Sequence, residues 1–474
     1  MASDKNLVIP LVINGKEIVS AKTFPVTSPA TGEVLWHSSS ASLEDVDKAI
    51  AAATAALPEW KATRLSKRRD MILKVAEELE KNQAAINETM KVEVAADQGW
   101  CDFNISNTLE MLRGVASRVC SLEGRIPESN ASDLTAMVVR EPYGVVLAIA
   151  PWNAPVILAA RSIIFPLAAG NTVIFKSSEL SPHTQYLLTQ CFLNAGFPPG
   201  AINILGHCRE DAPKITEALI KAPSVRKVNF TGSTAVGRRV AAMCGENLKP
   251  VTLELGGKAP MIVCSDADIE KAAGAGAFGA FYYAGQTCMA TEKILVHNSI
   301  ASEFTTALKA TVERMFGPSQ VLIQSAGPRR VAGLLSHAAE KGAQLHPATP
   351  TELVNPNEHH NVIVTGVNTD MDLWHAESFG PVVMIAEFET EEEAILKAND
   401  TEYGLSAAVW TNDLAKGIRI ARQIESGAVH INGATVYDEI ALPHGGLKNS
   451  GYGRFNGTWG LEEFTTTKTI TFRV

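Results

Sequence analysis

Short apolar runs alternate with longer, helix-like segments from residue 143 onward. The runs GVVLAIA (144–150), NTVIFKSS (171–178) and VTLELGG (251–257) have the length of strands. The segment APVILAARSIIFPLAAG (154–170), between the first two, has the length of a helix and ends in glycine. Apolar runs of this kind are typical of parallel strands that are covered by helices on both faces. The pattern therefore predicts βαβ units.

A second series of the same kind begins near residue 260. Its strand-like runs are APMIVC (259–264), KILVHN (293–298), LSAAVWT (405–411) and GAVHIN (427–432), and helical segments, including one at 413–426, lie between them. Two further segments, 134–144 and 465–474, alternate in the manner of strands without an adjacent helix. We expect those two strands to pair with each other or with another subunit. The predicted fold class is α/β, with two tandem parallel-sheet, Rossmann-like units and a small β arm.

The composition narrows the range of partners. The chain has 474 residues, of which 46% are hydrophobic and 20% charged, which suits two or three domains with large cores. It carries 42 basic and 51 acidic residues, a net charge of −9, and no basic run. We therefore expect neither a nucleic-acid partner nor a membrane-surface partner. The longest apolar runs are too short to span a bilayer.

The seven cysteines are scattered and show neither a CxxC pair nor zinc-ligand spacing. Reduced thiols, the absence of a metal site and a cytoplasmic location are the expectations that follow. The first residues, MASDKNLVIP, do not have the charged start and apolar run of a secretory signal.

Polar residues stand at the ends of several predicted strands, where open parallel sheets bind their ligands. Asn153 follows the first strand, where it could cap the next helix or donate to a developing oxyanion. Lys176 and Glu179 follow the second strand. Lys176 could be a solvated surface residue, whereas Glu179 could bond a ribose hydroxyl pair. A carboxylate there would repel a 2′-phosphate, which favours NAD over NADP.

Three further positions carry candidate chemistry. Gly232 and Ser233, in FTGSTAVG, form a strand-to-helix junction whose backbone N–H groups could hold a pyrophosphate or could simply close a βα loop. Glu254 lies between Leu253 and Leu255 and is either a paired core acid or a base with a raised pKa. Cys288, in GQTC, is a structural thiol unless nearby groups favour its thiolate.

Taken together, the motifs APWN, FKSSE, FTGS, LELGGK, GQTC, ESFGPV and PHGGLKNSGYGR occur in one order over residues 10–474. In this respect the chain resembles the NAD(P)-dependent aldehyde dehydrogenase superfamily. The resemblance implies the aldehyde dehydrogenase fold, with an NAD-binding domain at 1–123 and 143–254, a catalytic domain at 255–446, and an oligomerisation arm at 124–142 and 460–474. It also implies a homodimer or a homotetramer and NAD as cofactor, with NADP less favoured.

The resemblance implies roles for individual residues. Cys288 would be the nucleophile, Glu254 the general base, and Asn153 with the backbone N–H of Cys288 the oxyanion hole. The implied cofactor-binding residues are Trp152, Lys176, Glu179, Gly232, Ser233, Leu255, Glu377 and Phe379. In this chemistry a thiolate adds to the aldehyde carbon, a thioester remains after hydride loss, and water activated by Glu254 releases the acid.

The C-terminal run and Arg161 are similar to the branch that acts on aromatic aldehydes, namely salicylaldehyde, vanillin and benzaldehyde dehydrogenases. Trp100, Arg161 and Tyr437 are the implied lining of a substrate tunnel, in which Arg161 could pair with a phenolate or lower the Cys288 pKa. For Trp100 and Tyr437 the alternative is ordinary packing. Two departures stand out: His444 replaces the usual phenylalanine of PFGG, and the stretch 314–330 is shorter than the corresponding loop of the family.

Other functions remain open at this level. An aliphatic aldehyde or semialdehyde dehydrogenase would need a cationic clamp for a substrate carboxylate, and Arg161 is the candidate. A thiol esterase would use Cys288 and Glu254 without a cofactor. A binding protein on the same fold would have no use for Cys288, Glu254 and Asn153 together.

Overall fold

Most strands of the described residues form two mainly parallel sheets and a separate antiparallel ribbon, and the other strands form one three-stranded and two further two-stranded sheets. The computed structural model describes residues 5–347, 352–353 and 355–473. Residues 1–4, 348–351, 354 and 474 belong to the predicted domain ranges and lie outside the described residues.

The strands are β1 Val8–Ile9, β2 Leu11–Ile13, β3 Lys16–Ile18, β4 Thr23–Thr27, β5 Val34–Ser39, β6 Leu134–Pro142, β7 Val145–Ile149, β8 Thr172–Lys176, β9 Ile202–Leu205, β10 Val225–Thr231, β11 Val251–Glu254, β12 Ala259–Val263, β13 Thr291–His297, β14 Ser319–Val321, β15 Gln344–Pro347, β16 Glu358–His360, β17 Val362–Thr365, β18 Val382–Phe388, β19 Tyr403–Gly404, β20 Ser406–Trp410, β21 Ala428–Ile431, β22 Leu447–Lys448, β23 Gly451–Tyr452 and β24 Thr465–Arg473. The helices are α1 Leu43–Ala62, α2 Leu65–Glu93, α3 Gln98–Arg118, α4 Pro155–Ala168, α5 Pro182–Asn194, α6 Ala212–Lys221, α7 Thr234–Glu246, α8 Ile269–Phe281, α9 Ala301–Phe316, α10 Ala326–Glu340, α11 Asp372–His375, α12 Glu391–Asn399, α13 Leu414–Ala421 and α14 Gly457–Glu463.

The first sheet has the strand order β23-β11-β10-β7-β8-β9-β2-β3. Strands β11, β10, β7, β8 and β9 run parallel to one another, and antiparallel strands close both edges. β7, β8 and β9 are buried throughout; helices α1, α4 and α5 pack against them, and α2 and α3 pack on those helices. This burial explains why the corresponding sequence runs have no polar face.

The second sheet has the order β15-β17-β18-β13-β12-β20-β21. All of its neighbouring strands pair in parallel except β15 and β17, which are antiparallel. The two sheets confirm the prediction of an α/β fold with two tandem parallel-sheet units. None of the helices in the described ranges is long and apolar enough to cross a membrane.

The small β arm is a two-stranded antiparallel ribbon made of β6 and β24. Its register runs from Leu134 opposite Arg473 to Pro142 opposite Thr465. Of the two pairings that the sequence allowed, the strands therefore pair with each other within one chain. All residues of β24 after Thr465 are exposed, so both faces of this strand are uncovered in the single chain.

Candidate active site

Cys288 lies at the junction of two cavities. The first cavity lies between α3, α4 and the segment 436–444, and the second lies at the carboxyl ends of β7, β10 and β11. Cys288, Asn153 and Leu158 line both of them. A molecule in either cavity can therefore reach the sulfur atom.

Glu254 and Asn153 meet Cys288 in the second cavity. These residues come from separate parts of the chain: Glu254 ends β11, Asn153 follows β7, and Cys288 follows α8. Because β11, β10 and β7 are parallel neighbours, their carboxyl ends face the same edge of the sheet. The structure thus brings the three predicted catalytic residues together.

Asn153 does not cap the following helix. The N-cap of α4 is Ala154, and no side chain caps this end. The Nδ2 of Asn153 instead donates to the carbonyl oxygen of Gln286 at 3.0 Å, and the indole of Trp100 donates to the backbone oxygen of Asn153 at 2.8 Å. These bonds hold the amide beside the cysteine loop, which is the place that an oxyanion donor requires.

Glu254 is almost completely buried and is paired. The Nη2 of Arg161 lies 3.2 Å from its Oε2, and the Nε2 of His444 lies 3.9 Å from its Oε1. Burial raises the pKa of Glu254, but its interactions with His444 and Arg161 lower it by more, so the net pKa lies below the ordinary value. The structure shows that Glu254 is a paired acid. The alternative prediction, a base with a raised pKa, is wrong.

Burial raises the pKa of the Cys288 thiol well above its ordinary value, and the negative charge of Glu254 raises it further. Arg161 lowers this pKa, as the sequence suggested, but by less than the other two effects raise it. The resting pair is therefore a thiol beside a carboxylate. The sulfur must therefore lose its proton before it attacks, because the thiolate is the nucleophile.

Arg161 contacts two carboxylates and an aromatic ring. Its Nη1 lies 3.3 Å from Oδ2 of Asp438, in addition to the contact with Glu254, and its guanidinium packs over the ring of Phe455 at 4.7 Å. A buried guanidinium needs such partners. The structure pairs it with two carboxylates of the protein, so a substrate phenolate would have to compete for it.

The first cavity is lined mainly by aromatic and apolar residues, and a few charged residues also line it. Its lining residues are Trp100, Phe103, Asn107, Glu110, Met111, Asn153, Ala154, Ile157, Leu158, Arg161, Thr287, Cys288, Met289, Val436, Asp438, Ile440, His444 and Asn456. The rings of Trp100 and Phe103 are stacked with their centroids 5.2 Å apart. Trp100 and Arg161 thus lie where a substrate tunnel was predicted.

The structure does not place Tyr437 in the lining of the substrate tunnel, where it was predicted. Val436 and Asp438 line the first cavity, whereas Tyr437 between them is 47% exposed and does not. Its hydroxyl donates to Oε2 of Glu439 at 2.7 Å, and its ring lies against His430. The assignment was wrong for the single chain because neighbouring side chains of this segment point in opposite directions.

The second cavity contains most of the predicted cofactor residues. It is lined by Pro151, Trp152, Asn153, Leu158, Thr231, Gly232, Ser233, Glu254, Leu255, Gly256, Cys288, Arg330, Glu377 and Phe379. Ser233 is the N-cap of α7, and its side chain accepts from the backbone N–H of Val236. The helix N-terminus behind Gly232 and Ser233 is a suitable place for a phosphate.

Glu377 is held against the glycine pair of LELGGK. Its Oε1 accepts from the backbone N–H of Gly257 at 2.9 Å, and a Cβ atom on Gly256 would lie 2.5 Å from its Oε2. Only glycine permits this approach. Burial raises the pKa of Glu377 to about 7, and the neighbouring carboxylate of Glu292 adds to the shift.

Lys176 and Glu179 lie beyond the residues that line the second cavity, at the end of the neighbouring strand β8. The Nζ of Lys176 contacts Nε2 of His207, whose Nδ1 lies 3.1 Å from the carbonyl oxygen of Cys208. This pattern makes Nδ1 the donor and leaves the Nε2 lone pair for the lysine. Burial lowers the pKa of Lys176 to about 8.

Several residues at the site were not identified from the sequence. Glu292 accepts from the backbone N–H groups of Ser378 and Phe379 and pairs with Lys258. Arg330 donates to the carbonyl oxygen of Ser378 at 2.6 Å. Together they hold Phe379 at φ 43°, which is uncommon for a residue other than glycine. A signal for Glu292 was present, because it is a charged residue at the start of an apolar strand.

Comparisons with known proteins agree with this geometry. The profile of the Aldehyde dehydrogenase family matches residues 18–470. Vanillin dehydrogenase from Pseudomonas fluorescens is 42% identical over 98% of each chain. A salicylaldehyde dehydrogenase from Pseudomonas putida G7, solved in complex with salicylaldehyde, superimposes with a TM-score of 0.95 at 38% identity over 99% of each chain. An NAD-dependent aldehyde dehydrogenase from Sinorhizobium meliloti superimposes with a TM-score of 0.94 at 30% identity, over 100% of this chain and 97% of its own.

A thiol, a carboxylate and an amide meet between two cavities, and the sequence match extends over nearly the whole chain. The chain belongs to the aldehyde dehydrogenase family.

Proposed function

We propose that this chain oxidises an aromatic aldehyde, of the salicylaldehyde, vanillin or benzaldehyde type, to the carboxylic acid with NAD. The observation that carries the proposal is the position of Cys288, which faces an aromatic-walled cavity on one side and a cavity with a helix N-terminus on the other. The named relatives of the chain act on such aldehydes.

The roles follow from the contacts of each residue. The Cys288 thiol gives its proton to water in the cavity, and the sulfur bonds to the aldehyde carbon to form a thiohemiacetal. The amide of Asn153 and the backbone N–H of Cys288 stabilise the oxyanion, and one such donor contributes roughly 3–4 kcal/mol in comparable sites. NAD held in the second cavity would supply the acceptor for the hydride that leaves the former aldehyde carbon. The thioester that remains on Cys288 is hydrolysed by a water molecule whose proton Glu254 takes.

The second cavity fits the cofactor. The N-terminus of α7, with Gly232 and Ser233, would hold the pyrophosphate, and Glu377 with Phe379 would hold the nicotinamide ribose. The cradle at Gly256, which a Cβ atom would fill, keeps Glu377 at its place. Lys176 and Glu179 would contact the adenosine ribose. Trp152 and Leu255 form apolar walls of the same cavity.

The charges of the first cavity disfavour a semialdehyde that carries its own carboxylate. Among the described residues that line this cavity, Arg161 is the one lysine or arginine. It already forms ion pairs with Glu254 and Asp438. Glu110 and Asp438 also line the cavity and would repel a further carboxylate. A flat, uncharged ring would instead pack against Trp100, Phe103 and the aliphatic wall.

The test is NADH formation with benzaldehyde, vanillin, salicylaldehyde and succinate semialdehyde. We expect higher kcat/KM for the aromatic aldehydes, and the reverse order would contradict the substrate class. Steady ester cleavage without NADH from any aldehyde would favour a thiol esterase instead. Cys288→Ala should abolish NADH formation while NAD still binds, and Cys120→Ala, which changes an exposed thiol, is the matched control.

A second variant tests whether Glu254 is the general base of the hydrolytic step. Glu254→Gln should release a burst of NADH and then stall, because acylation precedes the hydrolysis that needs the carboxylate. Glu439→Gln, which changes an exposed carboxylate bonded to the Tyr437 hydroxyl, should turn over normally. A Glu254→Gln protein that cycled at the full rate would assign water activation to another group.

The domain division is part of the proposal. The strands of the first sheet come mainly from residues 11–18 and 145–254, and those of the second sheet from 259–431. They support an NAD-binding domain at 1–123 and 143–254, a catalytic domain at 255–446, and an oligomerisation arm at 124–142 and 460–474. Limited proteolysis should cut first near the boundary at residue 123, where residues 123–128 are exposed and lie outside the helices.

The chain is proposed to be cytoplasmic and at least a homodimer. All seven cysteines are free, which suits a reducing compartment. An isolated two-stranded ribbon is marginally stable, and Ile470 and Phe472 on β24 are exposed. A second copy that covers this ribbon would bury them. Light scattering on the purified chain distinguishes a dimer from a tetramer, and a monomer would contradict the assembly.

A further inference from the structure

His444 lines the first cavity and lies between the carboxylates of Glu254 and Asp438. Its Nε2 is 3.9 Å from Oε1 of Glu254, and its Nδ1 is 3.8 Å from Oδ1 of Asp438. Its backbone pairs with Phe455 through two hydrogen bonds, from His444 N–H at 3.0 Å and to its carbonyl oxygen at 2.8 Å. The bridge fixes the backbone, so the imidazole can change its contacts by rotation of the side chain alone.

The oxygen of Glu254 that faces His444 is the one without another partner. Oε2 is paired with Arg161, whereas Oε1 is buried and accepts no hydrogen bond. A base at this position takes a proton from water in each turnover and must lose it before the next. Because its side chain is only 1% exposed, bulk solvent cannot collect that proton directly.

Exposure increases from Glu254 through His444 to Asp438. The side chains are 1%, 8% and 17% exposed in that order. Asp438 is held at both oxygens: Nη1 of Arg161 lies 3.3 Å from Oδ2, and Nδ2 of Asn456 donates to Oδ1 at 2.6 Å. The three side chains therefore form a line from the buried base toward the cavity.

We propose that His444 is a positioning residue that carries the proton of the hydrolytic step from Glu254 to Asp438. The water oxygen bonds to the thioester carbon and its proton passes to Oε1 of Glu254. Glu254 then returns that proton to the lone pair on Nε2 of His444, while the Nδ1 proton of His444 passes to Asp438 and on to water in the cavity. No electrons are exchanged. Glu254 and Asp438 end in their starting states, whereas His444 ends as the Nε2–H tautomer and returns to the Nδ1–H form by proton exchange with water in the cavity.

The distances of 3.9 and 3.8 Å are about 1 Å longer than a hydrogen bond, so the transfer requires a small rotation of the imidazole. Catalytic hydrogen bonds are often longer before substrate binds. The charged or titratable groups that face His444 are Glu254 on β11, Arg161 on α4, Asp438, and His430 on β21. His430 is neutral near pH 7, because burial lowers its pKa.

The inference rests on the proposed function and deepens it. His444 stands where the resembled family usually has phenylalanine, so His444→Phe is a conservative change in volume that removes both nitrogen atoms. We expect this variant to keep the NADH burst and to lose steady-state turnover by roughly 100-fold, the lower end of the range for positioned proton transfer. Its KM for the aldehyde should change much less than kcat.

Two further measurements separate proton transfer from a structural role. Added imidazole should restore turnover of His444→Ala, and the pH profile of kcat should change in shape for both variants. Asp438→Asn should show the same pattern of intact burst and slow turnover, which keeps the test informative if His444→Phe fails to fold. His337→Gln, which alters a surface pair with Asp372, is the control and should leave the profile unchanged.

The outcomes are distinct. If the unsubstituted chain forms no NADH, the proposed function fails. If it forms NADH and the folded His444→Phe protein turns over at the original rate with the original pH profile, the relay is refuted while the function stands. A burst that falls in proportion to turnover, without rescue by imidazole, would also overturn the relay.

Discussion

Arg161 and Glu254 form an ion pair, with Nη2 3.2 Å from Oε2, in which both side chains are nearly inaccessible to solvent. Each charge in such a pair offsets the desolvation of the other. The pair therefore favours the charged form of Glu254 in a buried position.

Arg161→Gln should destabilise the chain strongly. It leaves the buried carboxylate of Glu254 without its cation, and removal of one partner from a buried pair typically costs about 3–5 kcal/mol of unfolding free energy. It should also raise the pKa of Glu254, since Arg161 lowers it. Denaturant unfolding and the pH dependence of kcat measure the two effects. Arg419→Gln, which breaks the exposed pair with Glu391, should have little effect on either.

The reactivity of Cys288 should rise with pH well beyond neutrality. Its thiol pKa lies well above the ordinary value through burial and the charge of Glu254, and the thiolate is the reactive form. In the absence of NAD, the rate of alkylation by iodoacetamide should increase about tenfold per pH unit near neutral pH. Glu254→Gln removes one of the raising charges and should accelerate alkylation at a given pH. A rate that is already constant at neutral pH would show a low thiol pKa instead.

NAD affinity should fall as the pH rises through about 8. The pKa of Lys176 is lowered to about 8 by burial, so its ammonium loses a proton in this range and donates one hydrogen bond fewer to the cofactor. Titration calorimetry with NAD between pH 7 and 9 measures the change. The Lys176→Met variant should bind weakly but with a flat profile. The same decline in that variant would assign the titration to a different group.

Glu292→Gln should weaken cofactor binding without direct contact with the cavity. Glu292 holds the backbone N–H groups of Ser378 and Phe379, with the nearest oxygens at 2.8 and 3.1 Å, and thereby fixes the segment that presents Glu377. Charge-assisted bonds of this kind contribute roughly 1.5–3 kcal/mol each. We expect KM for NAD to rise by roughly 10-fold or more. Glu303→Gln, on the exposed face of α9, serves as the comparison and should leave KM unchanged.

Trp100 and Tyr437 should differ in their effect on substrate choice. Trp100→Leu removes the ring that stacks on Phe103 in the first cavity. Aromatic pairs contribute about 0.5–1.5 kcal/mol beyond burial, so KM for benzaldehyde should rise roughly 2- to 10-fold with less change for an aliphatic aldehyde. Tyr437→Phe should leave both KM values unchanged. A larger effect at Tyr437 would place that side chain against the substrate.

The β arm and the surroundings of Glu254 show which features could be predicted from the sequence and which could not. Alternation in 134–142 and 465–473 predicted two strands, but two pairings were open, because register and partner depend on contacts between residues more than 300 positions apart. The motif around Glu254 indicated its role, but the lowered pKa depends on Arg161, 93 positions away, and on His444. Tyr437 was assigned to the wrong side because the direction of a side chain in an irregular segment has no periodic signal.

By itself, the sequence determined the α/β class, the tandem order of the parallel sheets, and the identity of the residues at the strand ends, because burial on both faces imposes continuous apolar runs and motifs are local. Only the tertiary structure decided which charges meet. The pairing of Arg161 with Glu254 and Asp438, the placement of His444 between those carboxylates, and the support of Phe379 by Glu292 all join distant segments. Electrostatic interactions depend on distances of a few ångströms, and those distances exist only in the folded chain.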